Sequence, residues 1–184
     1  NSIVKINYWG TESDREVPQN MTTSNSDAKQ YDIYDRFLIS SDFSLNLLKI
    51  QFKQAYVKED FNYTELSKDI NSFFISESYI TDLNLKLFKK NLMLNIGSVF
   101  SNNLIENNNY GGIFKAEKNL AVFSTIQFNT DKIKISTVLR KEWHDVFLVP
   151  LIPSLALEYK VYKDVKVRGR INVNFRLPSF NDRY

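Results

Sequence analysis

Apolar and polar residues alternate with a period of two along most of the chain, the spacing that puts successive side chains on opposite faces of a β-strand. Val4, Ile6 and Tyr8 alternate with Lys5, Asn7 and Trp9. Ile33, Phe37 and Ile39 oppose Asp32, Arg36 and Ser40, and Leu48, Ile50, Phe52 and Tyr56 oppose Lys49, Gln51, Lys53 and Ala55. The pattern returns at Leu92–Phe100, Leu120–Phe128, Ile133–Leu139 and Leu155–Tyr159. A stretch near 72–85 is strand-like in composition, with Glu77 and Asp82 leaving its faces open. The last run is the most regular. Val165, Val167, Gly169, Ile171, Val173 and Phe175 face away from Lys166, Arg168, Arg170, Asn172, Asn174 and Arg176. Helical spacing is sustained nowhere. The pattern predicts an all-β chain of about nine strands, most matching the roughly 9–11 residues of a tilted membrane strand.

The connections between these runs alternate long and short. Gly10–Lys29, Glu59–Asn71, Asn102–Phe114 and Glu142–Ile152 are long or medium. Asp42–Asn46, Lys86–Asn91, Asn129–Lys132 and Lys160–Asp164 are short. In an antiparallel up-and-down meander, alternate connections lie at opposite ends of the sheet. One end then carries tight turns and the other all the long loops, the asymmetry of outer-membrane barrels. A Greek-key sandwich has no reason to keep it. Aromatic residues gather near the expected strand ends (Tyr8, Trp9, Tyr56, Phe73, Phe74, Phe100, Phe128, Trp143, Tyr159, Tyr162, Phe175), where amphipathic rings meet a membrane–water interface.

Two further architectures share parts of this pattern. A soluble all-β binding or adhesion module would bring the apolar faces together across a compact core. A passive porin-like barrel would share the membrane wall. The barrel wall itself predicts one curved sheet with a bare apolar outer face, an aggregation hazard in water.

Composition narrows the chemistry. The 184 residues carry 24 Lys+Arg and 21 Asp+Glu, for a net charge of +3. That is too mild and too dispersed for a nucleic-acid partner, and Phe175 lies opposite the basic stripe rather than within it. With no cysteine, disulfides and thiolate metal sites are excluded. No run approaches the roughly 18 apolar residues of a membrane helix. No nucleophile–base spacing, carboxylate dyad or phosphate-cradling glycine loop stands out, so neither an enzyme nor a cofactor is expected. The sole histidine, His144, sits beside Trp143 and Asp145, too few ligands for a metal site. Arg15 and Glu16 read as solvated loop charges, while Glu77, Asp82 and Glu158 are candidates to polarise a lumen.

The segment Arg176-Leu-Pro-Ser-Phe-Asn-Asp-Arg-Tyr184 resembles a signature of TonB-dependent outer-membrane receptors, in particular the Bacteroidetes-type siderophore and vitamin B12 receptors. Arg176, Pro178, Ser179, Asn181, Asp182 and Tyr184 match it, while Arg183 replaces a customary apolar residue. Three other stretches agree in order: Pro150–Tyr159, with Ala156 in place of a customary Gly; Asn7-Tyr-Trp-Gly10 with Ser13–Pro18; and, more weakly, Asn109-Tyr-Gly-Gly112.

The resemblance implies an internal fragment of a barrel of roughly 22 strands. Residues 1–184 would be a partial barrel domain with no plug domain and no closing C-terminal strand. It also implies a bacterial outer-membrane location and TonB-energised uptake of an iron–siderophore or cobalamin-like nutrient. The TonB–ExbB–ExbD complex would act through the plug region, and lipid or lipopolysaccharide would surround the wall. The four long connections and the upper lumen wall are the expected ligand-facing region. Pro178 lacks an amide donor and so ends a ladder; Arg176–Tyr184 is expected to organise that strand exit.

Overall fold

A computed structural model describes residues 2–18, 27–108 and 115–176. Nine strands follow one another: β1 (Ser2–Glu16), β2 (Lys29–Leu45), β3 (Leu48–Glu65), β4 (Ile70–Lys89), β5 (Leu92–Asn107), β6 (Lys115–Asn129), β7 (Ile133–His144), β8 (Ile152–Lys160) and β9 (Lys166–Asn172). They form one sheet in sequence order, each antiparallel to the next. This is the expected meander. No second layer covers the sheet among the described residues, so the sandwich alternative falls: its apolar faces would have had to meet.

The strands are longer than the periodicity indicates. Much of what reads as loop is paired strand, for Glu16 pairs Lys29, Glu65 pairs Ile70 and Phe74 pairs Asn107. The connection expected over Glu59–Asn71 shrinks to a short 3-10 turn, Leu66–Lys68, closed by Asp69 in the left-handed region. Asn7-Tyr-Trp-Gly10, expected at a strand end, lies inside β1. At the opposite end, β2–β3 and β4–β5 turn through Asn46-Leu47 and Lys90-Asn91, with Asn46 and Lys90 at positive φ.

The register assigns every side chain to a face. On one side Leu48, Ile50, Phe52 and Tyr56 of β3 pair with Leu87, Leu85, Leu83 and Tyr79 of β4, and the set continues through Leu92–Phe100, Phe128–Leu120 and Ile135–Trp143. In each of β3 to β7 this apolar segment is nine residues long, the crossing length of a tilted membrane strand, about 9–11 residues. From β5 onward the segment steps toward the turn end, as tilt requires. Its far edge is aromatic, with Tyr8, Phe37, Tyr56 and Tyr79 facing one another in one row, followed by Phe100 and Trp143. These rings sit at the edge of the apolar band and, except for Trp143 next to the end of β7, inside their strands rather than at strand ends.

Burial is inverted relative to a soluble protein. The apolar side is bare, with Ile6, Leu85, Ile126 and Leu155 all exposed. The buried strand residues Asp32, Glu65, Ile105, Glu117 and Ala121 lie on the opposite, mostly polar side. That side is therefore the crowded, concave one. One polar pair, Gln54 and Thr81, lies within the apolar band and is satisfied internally, Thr81 Oγ1 donating to Gln54 Oε1 at 2.6 Å.

Candidate ligand-facing wall

Beyond the aromatic row, the concave side of β1–β4 carries Trp9, Tyr34, Arg36, Phe61, Tyr63 and Phe74. These lie on one face because Trp9 pairs Arg36 and Phe61 pairs Phe74 in register. Arg36 stacks over the Tyr34 ring, 5.9 Å from its centroid, and its guanidinium reaches Glu59 at 3.7 Å. Trp9 and the Arg36 side chain keep more than two-fifths of their surface accessible. Aromatic faces beside a guanidinium suit a planar, anionic or aromatic ligand.

Ionic clusters hold this wall at its upper rim. Asp32, only 2 % exposed, takes Arg15 at 3.0 Å and the Gln30 Nε2 amide, which is shared between its two oxygens at 3.0 and 2.9 Å. A buried carboxylate needs such a full set of partners. Arg15, read from sequence as a loop charge beside Glu16, thus pairs across the sheet. Glu65 accepts from Tyr63 Oη at 3.1 Å and pairs with Lys68 at 2.7 Å. Asp27 accepts the Ser67 N–H and, at 2.7 Å, the Ser67 hydroxyl. That bond set ties the β1–β2 connection to the β3–β4 turn and holds the Asp27 carboxyl below its usual range. The Glu65 carboxylate correspondingly raises Lys68.

Toward the turn end the concave side becomes a charge-paired surface. Lys86 Nζ donates to Gln51, which donates to Asp42; Asn84 donates to Asp82. The Phe123 ring covers Gly97, where a Cβ would collide with the ring and with Asn84, and Arg140 lies 5.9 Å from that ring's centroid. Glu158 pairs with Lys166 at 3.3 Å and Arg168 at 2.7 Å. A groove of about 580 Å³ runs between Lys134, Ser136, Glu158, Arg168 and Arg170. Asp82 and Glu158 do face inward; Glu77 faces outward, opposite Lys58.

His144 is the last residue of β7, not a loop residue. It is nearly enclosed, with Nε2 3.6 Å from Glu117 and Nδ1 3.3 Å from Asp145. Among the described residues no group of three such side chains is arranged to hold a metal ion. Of the signature residues, Arg176 is exposed just past β9. Pro178, Ser179, Asn181, Asp182 and Tyr184 lie outside the described residues, as does Asn109–Gly112. The strand expected within Pro150–Tyr159 is β8. Sequence reasoning missed Trp9, Tyr34 and Arg36 as one patch, although their alternation with Tyr8, Ile33 and Phe37 was the available signal.

A single-layer sheet with a bare apolar band, an aromatic edge and a buried polar side is the wall of an outer-membrane-type β-barrel. No family model matches the chain, and no curated protein matches it. Solved structures do. The crystal structure of the siderophore receptor PirA from Pseudomonas aeruginosa superposes with a TM-score of 0.73 at 14% identity, over 83% of this chain and 28% of that one. BauA, the ferric preacinetobactin receptor from Acinetobacter baumannii, matches with a TM-score of 0.62 at 12% identity, over 92% and 37%. FyuA, the ferric yersiniabactin uptake receptor from Yersinia pestis, gives 0.55 at 12%, over 83% and 26%. The chain therefore has the fold of a wall segment of a TonB-dependent receptor barrel, and it spans 26 to 37% of the length of these receptors.

Proposed function

We propose that this segment belongs to a TonB-energised receptor of the bacterial outer membrane that imports a scarce, bulky nutrient. The nutrient class is an iron–siderophore complex, with a cobalamin-like ligand as the neighbouring possibility. The observation that carries this reading is the patch of Trp9, Tyr34, Arg36, Phe61, Tyr63 and Phe74 on the inner wall beyond the membrane band, on a fold whose solved counterparts include siderophore receptors. Aromatic, cationic surfaces suit the aryl and anionic groups by which small molecules chelate iron.

In this reading the segment is one part of a barrel of roughly 22 strands, completed by a plug domain. The charge-paired inner surface between Asp42 and Arg170 faces that plug, through which TonB, ExbB and ExbD deliver energy. The protein binds and moves its cargo and does not transform it.

The test is uptake by the full-length protein in its native bacterium under iron limitation, with a panel of radiolabelled ferric siderophores and cobalamin. Uptake of one of these that is lost without ExbB supports the proposal. Entry of small solutes regardless of ExbB, with no saturable cargo, would replace it with a passive porin.

A further inference from the structure

The β7–β8 connection, Asp145–Leu151, differs from the 3-10 turn at the same end of the sheet. Val146, Phe147, Leu148, Val149, Pro150 and Leu151 are all apolar, whereas in the other turn a single apolar residue, Leu66, is followed by the polar Ser67, Lys68 and Asp69. Its height differs too. From Tyr79 at the edge of the band, β4 continues nine residues to Ile70, roughly 30 Å along the strand. In contrast, β7 stops at His144, one residue beyond Trp143. The apolar connection thus lies level with the edge of the membrane band.

Its contacts show which way it folds. Phe147 turns inward onto the His144 ring, with centroids 5.3 Å apart. The rest passes over the outer face. The Val149 carbonyl accepts from Lys141 Nζ at 2.5 Å, and Lys141 shares the apolar side of β7 with Leu139 and Trp143. Leu151 closes over that same side, forming a shallow recess with Ile96, Val122, Leu139 and Trp143. Leu148 at the tip is 99% exposed, and Val146 and Leu151 are more than half exposed. Lys118 is exposed on the same outer side, and its backbone is tied to the connection because its N–H donates to Asp145 Oδ2 at 2.9 Å.

We infer that the exposed side of this connection, Val146, Leu148 and Leu151, is seated in the lipid of the outer leaflet, with Trp143 beside them among acyl chains and Lys118 and Lys141 beside lipid phosphates, while Phe147 and the buried Val149 anchor it to the protein. Apolar side chains continuous with the lipid-facing band leave water at this depth. Lysines here extend their charge toward the headgroups. One of the four connections expected to face cargo is thereby reassigned to the membrane. The inference rests on the barrel reading but on no particular cargo, and its test involves no uptake.

The chain has no cysteine, so a single Leu148→Cys variant, in a full-length receptor otherwise free of cysteine, takes one nitroxide label. Power-saturation EPR in phosphatidylethanolamine/phosphatidylglycerol vesicles compares collisions with oxygen, which partitions into lipid, and with a water-soluble nickel chelate. Leu139→Cys in the band and Leu66→Cys on the 83% exposed tip of the polar turn are the references. The expected result is that position 148 follows 139, with collisions from the chelate lost. Chelate collisions like those at 66 would place the connection in water. Shielding from both reagents would mean that protein, a partner or a second copy, covers it. Either result overturns the inference. Lys118→Gln with Lys141→Gln is expected to shift the label toward water, most strongly in vesicles rich in anionic phosphatidylglycerol; no shift would remove the phosphate contacts.

Discussion

Tyr8 passes over Gly10 and donates its hydroxyl to Asp35 Oδ1 at 2.7 Å. The ring lies at the edge of the apolar band, and the hydroxyl reaches the first polar row above it, where Gly10 faces Asp35. One side chain thus marks the boundary between lipid and water on β1. The space exists because residue 10 has no Cβ: one built there would lie 2.8 Å from the Tyr8 hydroxyl. Gly10→Leu is expected to displace the ring and lower the temperature at which the folded, heat-modifiable gel band disappears. Tyr8→Phe keeps the ring and should lower it less. Equal losses in both variants would mean that the hydrogen bond, not the fit over Gly10, matters.

Gln54 and Thr81 satisfy each other within the lipid-facing band. Thr81→Val leaves the Gln54 amide oxygen without that donor in an apolar medium, at an expected cost of about 1–3 kcal/mol. Replacing both, Gln54→Leu with Thr81→Val, removes the polar groups together and is expected to be near neutral. Equilibrium unfolding in lipid vesicles measures both variants against the unaltered protein. A double variant as unstable as Thr81→Val alone would refute the pairing argument.

The latch between Asp27 and Ser67 depends on charge. Asp27 is depressed chiefly by the Ser67 hydroxyl bond, then by the Ser67 amide. Its contribution is therefore fully present above the ordinary Asp pKa and is lost as pH falls through the lower folded-state value. Lys68, raised by its bond to Glu65, behaves in the opposite sense, losing its contribution as pH rises through its raised value. Hydrogen exchange at the Ser67 amide should accelerate toward acid pH beyond the intrinsic trend. Asp27→Asn should abolish that acceleration; an unchanged pH profile would show that the latch does not titrate.

Trp9→Ala and Arg36→Ala remove an exposed ring and the guanidinium from the inner-wall patch. Each is expected to weaken binding of the cognate cargo roughly tenfold, the scale of an aromatic or arginine anchor. Lys53→Gln, on the charge-paired lower wall, is expected to leave it unchanged. Titration of the full-length receptor in detergent measures the three affinities, with heat-modifiable migration confirming that each variant is folded. Equal effects at all three positions would dissolve the distinction between the two halves of the wall.

Strand identity within the membrane band and the two faces of every strand but β4 were legible in the sequence, because a wall between lipid and water imposes an apolar–polar period of two. Leu48–Tyr56 and Leu92–Phe100 read as strands for that reason. The parity of connections was legible only in part, for Glu59–Asn71 proved to be mostly paired strand closed by a short turn. The extensions beyond the membrane were not legible. Glu59–Glu65 and the start of β4 at Ile70-Asn71 pair in full register, yet water lies on the outside there, so no apolar alternation is required and the residues resemble a loop. Backbone hydrogen bonds, not side-chain hydrophobicity, hold those segments in the sheet.

The alternation determined that this chain is built of two-faced strands, and connection lengths and aromatic placement pointed to a membrane wall; the tertiary structure decided that its apolar face is bare and where along the wall each residue stands. Register brings Trp9 beside Arg36 and Arg15 beside Asp32 from separate strands, and it sets Asp145–Leu151 at the membrane edge while β3 and β4 continue past it. Pairing between strands is a long-range choice made by the ladder as a whole, and a local pattern with a period of two carries no record of which partner, or what height, each residue will take.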